Sequence, residues 1–172
     1  AGRGRAEETA FSTELKKALQ YTMLPKELSD ADKFKLALDC GFEGIEVDRI
    51  ESVDEAQKLG ELAREIGTPI HSLVFGGWDM PFSDPNPKVI QRALDAMSTQ
   101  LRVANALQAD TILLVPVVVN KKATTEQAWE RSRKHIPELI PLAEEMNIVI
   151  ALEEVWNGFL LDSASEFARY VD

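Results

Sequence analysis

Short runs of apolar and β-branched residues alternate with longer amphipathic stretches from about residue 15 to the end of the chain. Five of these runs have the length and composition of β-strands, and each is followed by apolar residues at helical spacing. The predicted strands are 18–22, 42–47, 69–75, 111–116 and 148–152. Strict alternation of strand and helix predicts an α/β fold with a parallel sheet and right-handed crossovers.

The helical stretches carry start and stop signals. A Ser, Thr or Asn precedes each of them, and in three cases a Glu or Gln follows at the spacing of a capping box. The start signals are Ser29, Ser52 with Glu55, Asn86 before Pro87, Thr124 with Gln127, and Ser163 with Glu166. The stop signals are Gly41, Gly67 and Asn147. Pro137 and Pro141 must kink or split the helical stretch before the fifth strand.

Two architectures fit five βα units. A doubly wound five-stranded sheet is complete at this length, whereas a (β/α)₈ TIM barrel needs ~250 residues, so the chain would hold about the first five units. The periodicity does not choose between them, and both place the chemistry at the carboxyl ends of the strands. The chain lacks a glycine-rich phosphate loop and a Gly-x-Ser-x-Gly elbow, which disfavours the doubly wound fold. Residues 1–14 are expected to be a flexible tail, and residues 15–172 a partial barrel domain.

Composition narrows the classes of partner. The 172 residues carry a formal net charge of −10, which opposes binding to a nucleic-acid backbone. The longest apolar run, residues 112–119, is far shorter than the ~20 residues of a membrane-spanning helix. Cys40 is the single cysteine, which excludes an internal disulfide and leaves both a cytoplasmic and a periplasmic location open. We therefore expect neither nucleic acid nor membrane as a partner.

Polar side chains follow several of the predicted strands. Glu46, Asn120 and Glu153 stand at or after strand ends, His71 lies within the third strand, and Trp78 follows it in a Gly-rich loop. Neighbouring strand residues face opposite sides, so Glu153 and Glu154 cannot both enter one site, and Glu153 is the best catalytic candidate. Trp78 and Asn120 are candidate substrate-binding residues. Structural alternatives remain open: a solvated or salt-bridged loop residue for Glu46 and for Asp48 at the end of the same strand, a satisfied core imidazole for His71, and a local hydrophobic plug for Trp78.

Six local strings occur in an order that resembles the xylose-isomerase-like TIM-barrel superfamily. They are GFEGIE at 41–46, IHSL at 70–73, DPNP at 84–87, ADTILLVP at 109–116, IPLAEE at 140–145 and ALEEVWNGFLL at 151–161. Within the superfamily, the chain looks like the sugar phosphate isomerase/epimerase branch, near hexulose-phosphate isomerases and ketose 3-epimerases. The resemblance covers about residues 15–172.

The resemblance implies a metal-dependent enzyme that acts on a sugar or sugar phosphate. Glu153 matches a strand-five ligand of a divalent ion (Mn²⁺, Mg²⁺, Co²⁺ or Zn²⁺) and is also an acid/base candidate. His71 matches a histidine expected near the substrate, and Glu46 matches a glutamate expected to line the pocket. Trp156 and Asn157 match the loop after the metal-binding glutamate and, with Glu46, are candidate substrate-binding residues. The implied reaction removes a proton next to a carbonyl through a metal-stabilised enediolate.

The resemblance also implies ligands that this chain lacks. The family takes its remaining metal ligands from strands six to eight, so we expect the chain to be a fragment and to be inactive alone. Alternatives are a metal-dependent sugar dehydratase or lyase on the same barrel, or a non-catalytic half-barrel interaction module. A DNA-repair endonuclease of the same superfamily is disfavoured by the net charge. A homo-oligomer is possible for any of these.

The barrel hypothesis makes geometric predictions. The strand order should be 1-2-3-4-5 with all helices on one side. A doubly wound sheet would have a switch in strand order, such as 2-1-3-4-5, and helices on both faces. Glu153, not Glu154, should point towards the barrel axis, in one pocket with His71 and Glu46. The inner face should also carry Gln20 and should be open to solvent or covered by another chain.

Overall fold

Five parallel strands form one sheet in the order β1-β2-β3-β4-β5. The computed structural model describes residues 15–117, 119, 121–153, 160–161 and 163–172. The strands are β1 (Ala18–Gln20), β2 (Gly44–Asp48), β3 (Ile70–Val74), β4 (Thr111–Leu114) and β5 (Val149–Leu152). This sequential order confirms the α/β partial-barrel prediction. It excludes the doubly wound alternative, in which the strand order would switch, as in 2-1-3-4-5.

The helices connect the strands as the alternation predicts. They are α1 (Asp30–Asp39), α2 (Val53–Ile66), α3 (Pro87–Leu107), α4 (Thr125–His135), α5 (Ile140–Glu145) and α6 (Ala164–Val171). Short 3₁₀ turns follow β1 (Tyr21–Met23) and separate α4 from α5 (Ile136–Leu139). Pro137 therefore splits the helical stretch before β5, as predicted. Within the described residues, no helix combines the length and apolarity needed to cross a membrane.

The start and stop signals act as the sequence indicates. The side chains of Ser29, Ser52 and Ser163 each accept a hydrogen bond from the backbone N–H three residues on. Thr124 and Gln127 form a complete capping box, in which each side chain bonds the other residue's backbone N–H. Gly67 ends α2 with a φ of 99°, a conformation that side chains with a Cβ rarely adopt.

The helices cover one face of the sheet. The side chains of β2, β3 and β4 that point towards the helices are almost fully buried: Ile45, Val47, Leu73, Ile112 and Leu114. The helices contact one another along this layer: α1 with α2, α2 with α3, and α3 with α5. We call the opposite face of the sheet the inner face. It is open, since Val149 on this face is 61% exposed.

The strand bounds differ from the predicted ones by up to two residues, and two departures have a clear structural basis. β1 is only three residues long, because a 3₁₀ helix begins at Tyr21. The Tyr21 ring packs against Phe34, with the ring centroids 5.7 Å apart. In β3 the pairing with β2 shifts by one residue, since Ile45 pairs with Ile70 but Glu46 pairs with Ser72. His71 is thus an extra residue, a β-bulge.

Candidate functional site

Polar side chains gather on the inner face where β1 and β2 end. Glu46 and Asp48 alternate with the buried Ile45 and Val47, so both carboxylates lie on the inner face. Gln20, the last residue of β1, pairs in register with Glu46, and its Nε2 donates a 3.0 Å hydrogen bond to Oδ1 of Asp48. The inner-face position predicted for Gln20 and Glu46 agrees with this geometry.

The bulge in β3 brings a serine to the same face. Ile70 and Leu73 both turn towards the helices and are buried, which leaves Ser72 beside Glu46. The Ser72 hydroxyl donates a 3.0 Å hydrogen bond to Oε2 of Glu46. Two hydrogen-bonded pairs therefore line this part of the inner face.

His71 lies closer to the amino-terminal ends of the strands than Glu46 does. Its Cδ2 is 2.9 Å from the point that a Cβ on Gly44 would occupy, so the imidazole lies over the first residue of β2. Gly44 is on the same face as Glu46, two residues earlier, and the His71 side chain is exposed. The imidazole thus shares the inner face with Glu46 but lies nearer the amino-terminal ends of the strands, not at their carboxyl ends as predicted.

Glu153 continues β5 by one residue. Its backbone N–H donates a 3.0 Å hydrogen bond to the carbonyl of Leu114, which prolongs the β4–β5 ladder. Through the register of the intervening strands, Asp48 lies level with Ala151, two residues before Glu153. Alternation therefore places the exposed Glu153 on the inner face with Asp48 and Glu46. Glu154 lies outside the described residues.

Three other sequence-based candidates also lie outside the described residues: Asn120, Trp156 and Asn157. Trp78 is described, in the loop that follows β3. Its side chain is 55% exposed, and its Nε1 is 2.6 Å from the point that a Cβ on Gly76 would occupy. The indole therefore rests on the backbone of Gly76, which adopts a φ of 71°.

Contacts from neighbouring elements fix the loop around Trp78. The Arg49 guanidinium is 3.7 Å from the Asp79 carboxylate and lies over the Phe75 ring. Arg92 of α3 donates a 3.1 Å hydrogen bond to the Asp79 carbonyl. Further along the loop, Lys122 forms a 3.3 Å ion pair with the buried Asp84. The sequence did not indicate these loop contacts, because they join residues far apart in the chain.

Sequence reasoning also missed Ser72 and left Asp48 as a solvent or ion-pair residue. A signal for Asp48 exists, since period-two alternation puts it on the same face as Glu46. Ser72 carries no such signal, because an unbroken β3 that keeps His71 on the inner face would turn its neighbour towards the helices. Only the bulge reverses that orientation.

The inner face is acidic. Its described residues include Glu46, Asp48 and Glu153 but no Lys or Arg. On the helix side of the sheet, Tyr21 packs against Phe34 and hydrogen-bonds Asp30 of α1. Burial, followed by this acidic partner, raises the pKa of Tyr21 well above its usual value. The inner face therefore suits hydroxyl groups, cations and proton transfer.

The described residues do not form a metal site on their own. They contain no cluster of three or more His, Cys, Asp or Glu side chains arranged to hold an ion. Hard divalent ions take about six oxygen or nitrogen ligands, and Glu153 offers one carboxylate. The donor set of this part of the chain therefore does not fit such an ion without ligands from elsewhere.

Two cavities lie away from the inner face. The larger, about 620 Å³, lies between α5, α6 and the opposite side of β5, and the smaller, about 450 Å³, lies beside Tyr21 and the start of α2. Neither is lined by a residue that the sequence singled out for chemistry. The candidate site is therefore an open surface in the described part of the chain.

Comparisons with known proteins give one family and several similar folds. Residues 34–172 match the family model described as xylose isomerase-like TIM barrel. A search of curated proteins by sequence found no match. Among solved structures, D-psicose 3-epimerase from Clostridium cellulolyticum H10 with D-tagatose aligns with a TM-score of 0.78 and 19% identity, covering 91% of this chain and 59% of that one.

Two further structures have similar folds. The 3-keto-D-glucoside 4-epimerase from E. coli aligns with a TM-score of 0.75 and 16% identity, covering 90% of this chain and 62% of that one. The IolI protein with a bound zinc atom aligns with a TM-score of 0.73 and 17% identity, covering 91% and 58%. At these identities the likeness shows the fold. This chain spans about three fifths of the length of these proteins.

Proposed function

The chain belongs to the xylose isomerase-like TIM barrel family, and from that premise we propose that it contributes the first five βα units of a sugar isomerase or epimerase. The reaction we propose moves a proton at a carbon next to a carbonyl. The substrate is a sugar or a sugar phosphate. The epimerases among the similar folds support this choice of reaction, and the inner face supports the choice of site.

One observation carries the proposal. Glu46, Asp48 and Glu153 lie on one open face, towards the carboxyl ends of parallel strands, where barrel enzymes keep their active sites. Carboxylates are suitable groups for taking up and returning a proton, and they also accept hydrogen bonds from sugar hydroxyls. An acidic face without a described Lys or Arg therefore suits a polyhydroxylated substrate.

In this proposal, Glu153 is the catalytic carboxylate that accepts and returns the proton. Glu46 binds substrate hydroxyls. His71, which lies nearer the amino-terminal ends of the strands on the same face, is the second catalytic residue. Trp78, on its fixed loop, offers an aromatic surface to the apolar side of a sugar. Asn120, Trp156 and Asn157 are retained as proposed substrate-binding residues.

We also propose that Glu153 is the ligand that this chain contributes to a divalent ion (Mn²⁺, Mg²⁺, Co²⁺ or Zn²⁺). The ion would supply electrostatic stabilisation of negative charge on the substrate. Its other ligands must come from outside the described residues, because these residues alone do not fit an ion. The zinc in the IolI structure supports a metal in the family fold.

The test is exchange of substrate hydrogen in heavy water. The protein at its natural length is incubated with a panel of ketoses, aldoses and their phosphates, and products are identified by NMR. A substrate should gain deuterium at one carbon and yield an isomer or epimer of unchanged formula, whereas a dehydratase or lyase would lose water or split the sugar.

Substitution of Glu153 completes the test. Glu153→Gln should lower kcat by at least about a hundredfold, the usual contribution of general acid–base catalysis. Glu130→Gln makes the same change on the exposed surface of α4 and should leave kcat unchanged. Absence of exchange with every sugar, or full activity of Glu153→Gln, would contradict the proposal.

A further inference from the structure

We propose that Ser72 is a positioning residue, whose hydroxyl fixes the carboxylate of Glu46 in the orientation that meets the substrate. The inference rests on the proposed function of the inner face. Ser72 is a residue that no pattern in the sequence indicates. The proposal also assigns a function to the bulge in β3, which is to orient Ser72 towards Glu46.

The bulge is what makes the contact possible. Between the pairs Ile45–Ile70 and Glu46–Ser72, β3 contains one more residue than β2. The extra residue leaves Ile70 and Leu73 both buried under the helices and turns Ser72 to the inner face. Bulges re-aim side chains in this way and are frequent next to active sites.

The burial of Ser72 supports a fixed geometry for the pair. Ser72 is only 3% exposed, and its hydroxyl donates to Oε2 of Glu46 at 3.0 Å. A buried hydroxyl that loses its hydrogen-bond partner raises the free energy of the folded protein. Movement of the Glu46 carboxylate away from Ser72 is therefore unfavourable. β3 lies between β2 and β4, so the backbone under Ser72 is paired on both sides.

The contact leaves half of the carboxylate available. Within the described residues, the hydrogen bond from Ser72 engages Oε2 of Glu46, and Oε1 has no hydrogen-bond partner. A glutamate has three rotatable side-chain bonds, and anchoring one oxygen restricts where the other can lie. Prior orientation of this kind lowers the entropy lost when the substrate binds.

The experiment compares Ser72→Ala, Ser72→Thr, Glu46→Gln and the double variant Ser72→Ala/Glu46→Gln in the protein at its natural length. Ser72→Ala should lower kcat/KM by about tenfold or more, the range of a hydrogen bond to a charged group. Ser72→Thr, which keeps the hydroxyl, should recover most of this loss. In the Glu46→Gln background, the Ser72→Ala change should add little, because the serine then has no carboxylate to position.

Thr111→Val is the matched control. Thr111 pairs with Ser72 in the next strand, but its hydroxyl bonds Asp110 instead of an inner-face carboxylate. This variant should keep the kcat/KM of the wild type. Two outcomes would show a purely structural role for Ser72 and overturn the proposal. In one, Ser72→Ala lowers the melting temperature but leaves kcat/KM unchanged; in the other, its effect on kcat/KM adds in full to that of Glu46→Gln.

A structural readout separates this proposal from the proposed function. Crystal structures of the wild type and Ser72→Ala should show the Glu46 side chain in one rotamer in the former and displaced in the latter. An unchanged Glu46 rotamer overturns the positioning role, whatever the activity. If the wild type acts on no sugar, the proposed function fails, and the Glu46 rotamer alone decides whether Ser72 positions it.

Discussion

Gly60 lies where α2 approaches the end of α3 most closely. A Cβ at this position would stand 2.6 Å from the carbonyl oxygen of Leu107 and 2.8 Å from its Cα. The same carbonyl accepts a 3.0 Å hydrogen bond from Arg64, one turn further along α2. The glycine therefore sets the distance between two helices of the outer layer.

This contact predicts that Gly60→Ala is destabilising, although alanine favours a helix interior by about 1 kcal/mol over glycine. The methyl group would meet backbone atoms that cannot rotate away, and overpacking of this kind costs about 1–3 kcal/mol. Urea unfolding measures the change. Glu61→Ala, at the neighbouring exposed position, should have almost no effect. A Gly60→Ala variant as stable as the wild type would show that α2 and α3 separate easily.

The Tyr170 hydroxyl forms a hydrogen bond that links α6 to α4. The hydroxyl donates a 2.7 Å hydrogen bond to Oγ of the buried Ser132. The Tyr170 and Trp129 rings form a T-shaped pair with their centroids 5.0 Å apart. Burial raises the pKa of Tyr170 from 10.0 to about 12. The folded protein thus holds this proton more tightly than the unfolded chain does.

The free energy of unfolding that depends on this proton is fully present below pH 10 and is lost between pH 10 and about 12. Tyr170→Phe should cost about 1 kcal/mol at neutral pH, because one buried hydrogen bond is lost. It should also remove part of the alkaline decline. Urea unfolding of both proteins across this pH range measures the difference, and parallel pH profiles would contradict the prediction. Tyr21→Phe identifies the contribution of the other tyrosine.

At the scale of elements, helix starts were the most predictable features. The local signals suffice there, because an N-cap and its partner lie only three residues apart. Thr124 and Gln127 show this most completely, since both hydrogen bonds of the predicted capping box form. Proline positions were equally informative, because the constraint of Pro137 is local.

The capping box predicts a measurable stability. Thr124→Ala should lower the free energy of unfolding by about 1 kcal/mol, because the N–H of Gln127 loses its acceptor at the start of α4. Thr125→Ala changes the next, exposed residue without removing a cap and should be close to neutral. Equal effects of the two substitutions, by urea unfolding, would show that the cap contributes nothing specific.

Strand details were less predictable than helix ends. The β3 bulge depends on pairing between residues about 25 positions apart, so the local pattern around His71 does not reveal it. The early end of β1 likewise depends on Tyr21 meeting Phe34 and Asp30. Sequence reasoning therefore found the inner-face position of Glu46 but missed the serine that contacts it.

For the whole molecule, the alternation of elements specified a parallel α/β sheet but not its strand order. Sheet order follows from contacts between distant segments, and five βα units satisfy either architecture locally. The resemblance supplied the barrel, and the sequential order confirms it. The roles assigned to Glu153 and His71 remain predictions, since their positions on the inner face are compatible with more than one chemistry.

The open inner face predicts how the 172-residue polypeptide behaves in solution. Within the described residues, β1 pairs only with β2 and β5 only with β4, so both outer strands have unpaired backbone groups. Val149 adds an apolar side chain, 61% exposed, beside one of these edges. Exposed edges and apolar surface favour self-association, whereas the net charge of −10 opposes it.

We expect the polypeptide to self-associate with rising concentration, and more strongly at high salt, where its charges repel one another less. Val149→Lys should weaken this association, because a lysine on the edge strand β5 disfavours the pairing of another strand with it. Val53→Lys, on the first residue of α2, adds the same positive charge away from the inner face. Both substitutions reduce the net negative charge equally, so a difference between them reports the position. Sedimentation velocity measures the association, and a monomer at every concentration, or equal effects of the two lysines, would show that the inner face is not the contact surface.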